Sequence, residues 1–148
     1  IPSRLVGSEM CIRDRAGARA TGFSSHADYL TTADREMCLV VQIETPAGVA
    51  ALDDILAVEG VDAVFIGPSD LSANYGHIGN PGAPEVVEAV QSSLDKIAAS
   101  DKASGIMALD PAAAKSFLDR GVDFVAVSID ARTLALSLRA IAADMRNR

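Results

Sequence analysis

Four short apolar runs, each followed by a stretch with helical spacing, restrict this chain more than any other feature. They are Met37-Cys38-Leu39-Val40-Val41-Gln42-Ile43-Glu44, Ala63-Val64-Phe65-Ile66-Gly67, Ser104-Gly105-Ile106-Met107-Ala108 and Phe124-Val125-Ala126-Val127. Near-continuous runs of this length, rich in β-branched residues, have the pattern of buried parallel strands. After the first come Pro46 and then Val49, Leu52, Ile55 and Leu56 at helical spacing, with Gly60 as a stop. A helix over about 85–99 follows the second, with Val86, Val90, Leu94 and Ile97 on its apolar face. Pro111 to Asp119 follows the third, its proline suited to a first helical turn, and Ala131 to Met145 closes the series. Residues 28–36 read as a polar lead-in and 68–84 as a loop.

Successive β-then-α units predict an α/β fold with a parallel sheet and helices outside it. A (β/α)8 TIM barrel is made of such units but typically needs roughly 250 residues. At 148 residues this chain carries about four units, half of one barrel. A flavodoxin-like open sheet is the rival architecture, complete with about five strands.

The chain carries 49% apolar residues, ample for a core, but only 4% aromatics, and its formal charge is −7. A nucleic-acid partner needs clustered Lys and Arg, which are absent outside the chain ends, so none is expected. No apolar run approaches the roughly 20 residues of a membrane span, so no membrane partner is expected either. Cys11 and Cys38 form no disulfide framework, and no signal-peptide pattern opens the chain. The expected setting is reducing and cytoplasmic. Residues 1–15 have no period and are expected to be disordered or non-native, with the domain covering 16–148. Within them GSEMCIRD resembles translated adapter sequence, which places the expected native start near Ala16.

In either architecture chemistry sits just after each strand, at its C-terminal end. The residues there are Gln42 and Glu44, Ser69 and Asp70, Leu109 and Asp110, and Ser128 and Asp130. Asp110 before Pro111 and Asp130 before the last helix fit helix N-caps. Glu44 ends an apolar strand, where an ionised carboxylate needs a cation or donors. Neighbouring strands lie about 4.8 Å apart, so Glu44 and Asp70 can reach one ion, and an all-oxygen shell suits Mg²⁺ or Mn²⁺. A salt bridge or a capping pair remains the alternative. His77, in a glycine-rich loop, reads as a surface residue or local hydrogen-bond donor, and Tyr75 and Phe65 as packing.

QIETPAG (Gln42–Gly48), GVDAVFIGPSDLSANYGHIGNP (Gly60–Pro81), SGIMALD (Ser104–Asp110) and GVDFVAVSID (Gly121–Asp130) together resemble the C-terminal half of the HpcH/HpaI aldolase/citrate lyase family. The similarity runs from about Tyr29 to Ala143. The resemblance implies a (β/α)8 barrel and a metal-dependent class II aldolase, such as 4-hydroxy-2-oxoheptanedioate aldolase or 2-dehydro-3-deoxyglucarate aldolase. It places Mg²⁺, Mn²⁺ or Co²⁺ on Glu44 and Asp70, with pyruvate and an aldehyde as small-molecule partners. Gln42, Gly67, Ser69 and Asp70 are then the substrate contacts, through backbone N–H groups around Gly67, Ser69 and Asp70 for a carboxylate. Gln42 contacts the substrate or orients the ligand, or packs in the strand. Ser128 stands where relatives often have glycine. The family's base, a histidine, and its carboxylate-binding arginine belong to the other half, so no catalytic residue is assigned here. A homo-oligomer is implied, with the last helix on a neighbour. Leu134, Leu136, Leu138 and Ile141 permit that, and also permit packing on the chain's own sheet. The alternatives are a half-barrel binding or assembly module, and an enzyme like citrate lyase β-subunit or malyl-CoA lyase.

Overall fold

A computed structural model of the chain describes residues 19–146. The segment 1–15, expected to stand outside the fold, lies outside the described residues. The chain divides after Cys38 into two units. In the first, a 3-10 turn (Arg19–Thr21) precedes helix α1 (Tyr29–Glu36). Residues 28–36 are thus mostly helical and not a plain lead-in. Their local bonds explain it: the Thr31 and Thr32 hydroxyls both donate to the Asp28 carbonyl, at 2.8 and 3.1 Å.

The second unit holds β1 (Val40–Ile43), α2 (Pro46–Ala50), α3 (Leu52–Leu56), β2 (Ala63–Ile66), α4 (Pro68–Asn74), α5 (Pro84–Ala98), β3 (Ala103–Met107), α6 (Pro111–Asp119), β4 (Phe124–Ala126) and α7 (Asp130–Arg146). Its four strands form one parallel sheet in the order β1-β2-β3-β4. A doubly wound sheet reverses its strand order at a switch point. This order never reverses, as in a barrel wall, so the flavodoxin-like rival gives way to a partial barrel of four βα units.

In register, Ile43 stands beside Ile66 and Ile66 beside Ile106. These residues, with Val64, face a core of Leu52, Leu71, Val86, Val90, Leu94 and Ile97 from the helices. The next register row is Gln42, Phe65, Gly105 and Phe124. Because side chains alternate along a strand, this row lies on the opposite face, the inner face of a barrel. There Phe124 stacks on Phe65 with ring centroids 5.6 Å apart, and a Cβ on Gly105 would lie 2.2 Å from the Phe124 ring. Gly105 therefore lets the ring cross its strand.

The strands are not buried on both faces as their apolar runs suggested. Val40, Gln42 and Phe124 are exposed, because within the second unit only one face of the sheet has helices against it. β1 is also shorter than the run Met37–Glu44, and Met37, Leu39 and Val40 are exposed beside an edge strand. The helix expected through Val49–Leu56 is two short helices broken at Ala51. The expected loop 68–84 contains α4. Its Gly, Pro and Asn content concealed that Pro68 opens the helix and that Leu71 and Ser72 are buried.

A Gly-Val-Asp turn precedes both β2 and β4. Gly60 and Gly121 have φ of +87° and +96°, which only glycine adopts at low cost. Val61 and Val122 are buried, and the following aspartate bonds back to the preceding strand. Asp62 Oδ2 accepts from Leu39 N at 2.6 Å, and Asp123 Oδ2 accepts from Ser104 N at 2.7 Å and Ser104 Oγ at 2.8 Å. The Ser104 backbone N–H and then its hydroxyl hold the Asp123 carboxyl below its ordinary value of 3.8. A lowered folded-state value means that this carboxylate stabilises the fold fully above the unfolded value and less as pH falls through the folded one. Asp123→Asn should therefore differ in stability from the wild type by a constant amount above about pH 5, with the difference shrinking below about pH 4. Urea midpoints measured across that range check this, and a difference independent of pH would refute it.

Candidate functional site at the strand ends

Glu44 follows β1 directly, half-buried at the C-terminal edge of the sheet and not inside a buried strand. Gln42, two residues earlier and so on the same side of the strand, donates from Nε2 to Glu44 Oε2 at 2.7 Å. Across from Glu44, past the last register pair Ile43 and Ile66, stands Gly67. Its N–H donates to the Ile43 carbonyl at 3.0 Å. That hydrogen bond corrects one expectation: the Gly67 N–H is committed to the sheet and not free for a substrate carboxylate. What Gly67 contributes is space. A Cβ there would lie 3.2 Å from Gln42 Nε2, 3.4 Å from Glu44 Cβ and 3.6 Å from Glu44 Oε2.

Pro68 opens α4, where a missing N–H costs nothing, and the pairing with β1 stops as the chain turns into the helix. Ser69 and Asp70 are exposed in the first turn, where backbone N–H groups lack intrahelical acceptors. The N-cap of α4 is Gly67 and no side chain caps it, so the capping role does not fall to Asp70. Among the described residues neither Glu44 nor Asp70 forms an ion pair with a basic group. The salt-bridge and capping alternatives therefore have no counterpart here. Two carboxylates without basic partners, one steadied by an amide, are oxygen donors of the kind a hard divalent cation takes. No third His, Cys, Asp or Glu joins them among the described residues, so water and substrate oxygens would complete any such shell.

The other strand ends do different work. Asp110 Oδ2 accepts from Ala113 N at 2.8 Å and caps α6 as its spacing suggested. Asp130 lies inside the first turn of α7 and accepts from Ala131 N, one position later than the expected cap. Ser128 shares a 2.6 Å hydrogen bond with Thr133. His77 meets Glu85 at 2.5 Å, a local surface contact. A largely apolar cleft of about 360 Å³ opens between α5 and α6, with Ser69, Met107, Asp110 and Phe117 among its walls. Neither Glu44 nor Asp70 lines it.

One residue of this region has no counterpart in the sequence reading. Asn74 Nδ2 donates to the carbonyls of both Glu44 and Asp70, at 3.1 and 2.9 Å. Its spacing of four from Asp70 was the available signal, hidden because the segment reads as a loop.

A sequentially ordered parallel sheet with a helix after each strand defines a βα-barrel wall, and Glu44 and Asp70, beyond its first two strands, are the candidate cation ligands. The sequence profile of the HpcH/HpaI aldolase/citrate lyase family matches residues 7–136, and the chain belongs to that family. It is 51% identical over 125 residues to a hydroxypyruvate/pyruvate aldolase of Pseudomonas aeruginosa, covering 84% of this chain and 47% of that protein. It is 47% identical over 126 residues to a 4-hydroxy-2-oxo-heptane-1,7-dioate aldolase of Escherichia coli, covering 85% and 48%. The crystal structure of a family member from Burkholderia cenocepacia superposes with a TM-score of 0.83 at 35% identity, over 88% of this chain and 51% of that one. The chain thus spans about half the length of the curated relatives it matches.

Gly67→Ala should crowd the Gln42 amide, displacing it by a few tenths of an ångström and weakening its bond to Glu44, at a cost of no more than about 1 kcal/mol. In a Gln42→Ala background the same substitution should cost much less, because the clashing amide is gone. Equal costs in the two backgrounds, read from urea unfolding, would mean that the backbone takes up the contact.

Proposed function

We propose that this chain is part of a metal-dependent aldolase, a carbon–carbon lyase that cleaves or forms 4-hydroxy-2-oxo acids through the enolate of pyruvate. The observation that carries the reading is the pair Glu44 and Asp70 at adjacent strand ends, without basic partners and with Glu44 held by Gln42. The aldolases named among the relatives support the reaction class. Glu44 and Asp70 would hold Mg²⁺, Mn²⁺ or Co²⁺. When bound there, the cation supplies Lewis-acid stabilisation of the charge that grows on the keto oxygen as the C–C bond breaks. Gln42 keeps one Glu44 oxygen oriented, and the gap at Gly67 leaves room beside it. The first-turn N–H groups of Ser69 and Asp70 are suited to the pyruvate carboxylate.

Proton transfer and the choice of aldehyde are left to groups outside this set. His77 is engaged by Glu85, and no other histidine lies in the second unit. The exposed Leu134, Leu136, Leu138 and Ile141 of α7, a helix with no buried residue, support a homo-oligomer in which another copy covers them. No helix among the described residues is long and apolar enough to cross a membrane, and Cys38 is a free thiol, in keeping with a cytoplasmic setting.

The reading is tested by Mn²⁺-dependent exchange of pyruvate methyl protons with D₂O in the complete gene product. Glu44→Ala and Asp70→Ala should each slow exchange by more than about 100-fold, beyond the effect of removing a group that only orients a ligand. Exchange at the wild-type rate in both variants would end the metal assignment.

A further inference from the structure

Asn74 makes a connection that neither the sheet nor the helix requires. It is the last residue of α4 and exposed, yet its side-chain amide reaches two carbonyl oxygens. One belongs to Asp70, a turn back on the same helix at 2.9 Å; the other belongs to Glu44, 30 positions away in sequence, at 3.1 Å. An amide NH₂ has two hydrogens, one for each acceptor. Both acceptors are carbonyls of the two residues whose carboxylates form the candidate cation pair.

The location matters because the strand ladder stops there. Gly67 N–H donates to Ile43, but the chain then turns into α4 at Pro68, and among the described residues no backbone bond joins that segment to Glu44. Past that point Glu44 and Asp70 belong to separate backbone segments, and the Asn74 amide joins them directly. A small cation holds its oxygens near 2.0–2.1 Å and tolerates little departure from octahedral geometry. A slight drift of one segment against the other would therefore be felt as lost affinity.

We propose that Asn74 is a positioning residue that fixes the Glu44 and Asp70 backbones relative to each other, so that their carboxylates converge on one divalent cation. The inference rests on the metal reading above. The test uses the complete gene product without substrate and measures Mn²⁺ affinity, the Mn²⁺ spin-resonance spectrum and the metal-free melting temperature. Asn74→Ala should raise the Mn²⁺ dissociation constant by about 10–100-fold, as losing a ligand-orienting group does. The spectrum should change, while the metal-free melting temperature stays near that of the wild type. In Asn74→Ser the hydroxyl can bond to the carbonyl four residues back but is too short to reach the Glu44 carbonyl, so it should behave as Asn74→Ala does.

Wild-type Mn²⁺ affinity in either variant, with Glu44→Ala binding no metal, would overturn the proposal. So would a loss of affinity that merely follows a fall in metal-free stability. If instead Glu44→Ala and Asp70→Ala both bind Mn²⁺ like the wild type, the metal reading itself fails, a result distinct from the first.

Discussion

The parallel register of Ile43, Ile66 and Ile106 is the constraint on which the rest of the molecule depends. With a side-chain period of two, a slip of one residue would turn the apolar set away from the helices and bring Gln42 into the core. The aspartates of the two Gly-Val-Asp turns tie β2 and β4 to the strands before them at the N-terminal edge. Register fixed at that edge decides what emerges at the other. It sets Gly67 across from Glu44 and brings the Gln42 amide onto a Glu44 oxygen.

The fold was legible because its dominant signals are local and repeated. Four apolar runs became four strands, and Pro111–Asp119 appears with the predicted bounds. Helices α1 and α4 were not legible, since one is polar on average and the other is written in residues typical of turns. Two-sided burial was also misread from the strands. An apolar run suits a strand covered on both faces, but it does not reveal how much of the covering the same stretch of chain supplies.

At the site, Glu44, Asp70, Gln42 and Ser69 were legible as strand-end residues, while their relations were not. The Gln42–Glu44 bond, the occupied N–H of Gly67 and the two bonds of Asn74 depend on through-space geometry across neighbouring segments. Asp62 and Asp123 were overlooked for a related reason. Their work lies at the edge opposite the chemistry, where a barrel's residues serve stability.

The unbroken strand order has a kinetic side as well. Each strand pairs with the one before it in the chain, so every stretch of the sheet joins consecutive βα units. Each pairing closes a loop of only one βα unit, the shortest a parallel sheet allows, which limits the closure entropy of a topology that is otherwise slow to form. Such a sheet can grow one unit at a time as the chain leaves the ribosome, each new strand meeting an edge already formed. Among the described residues β1 and β4 are the two edges of the sheet, and an uncovered edge is where a growing sheet is open to misassociation.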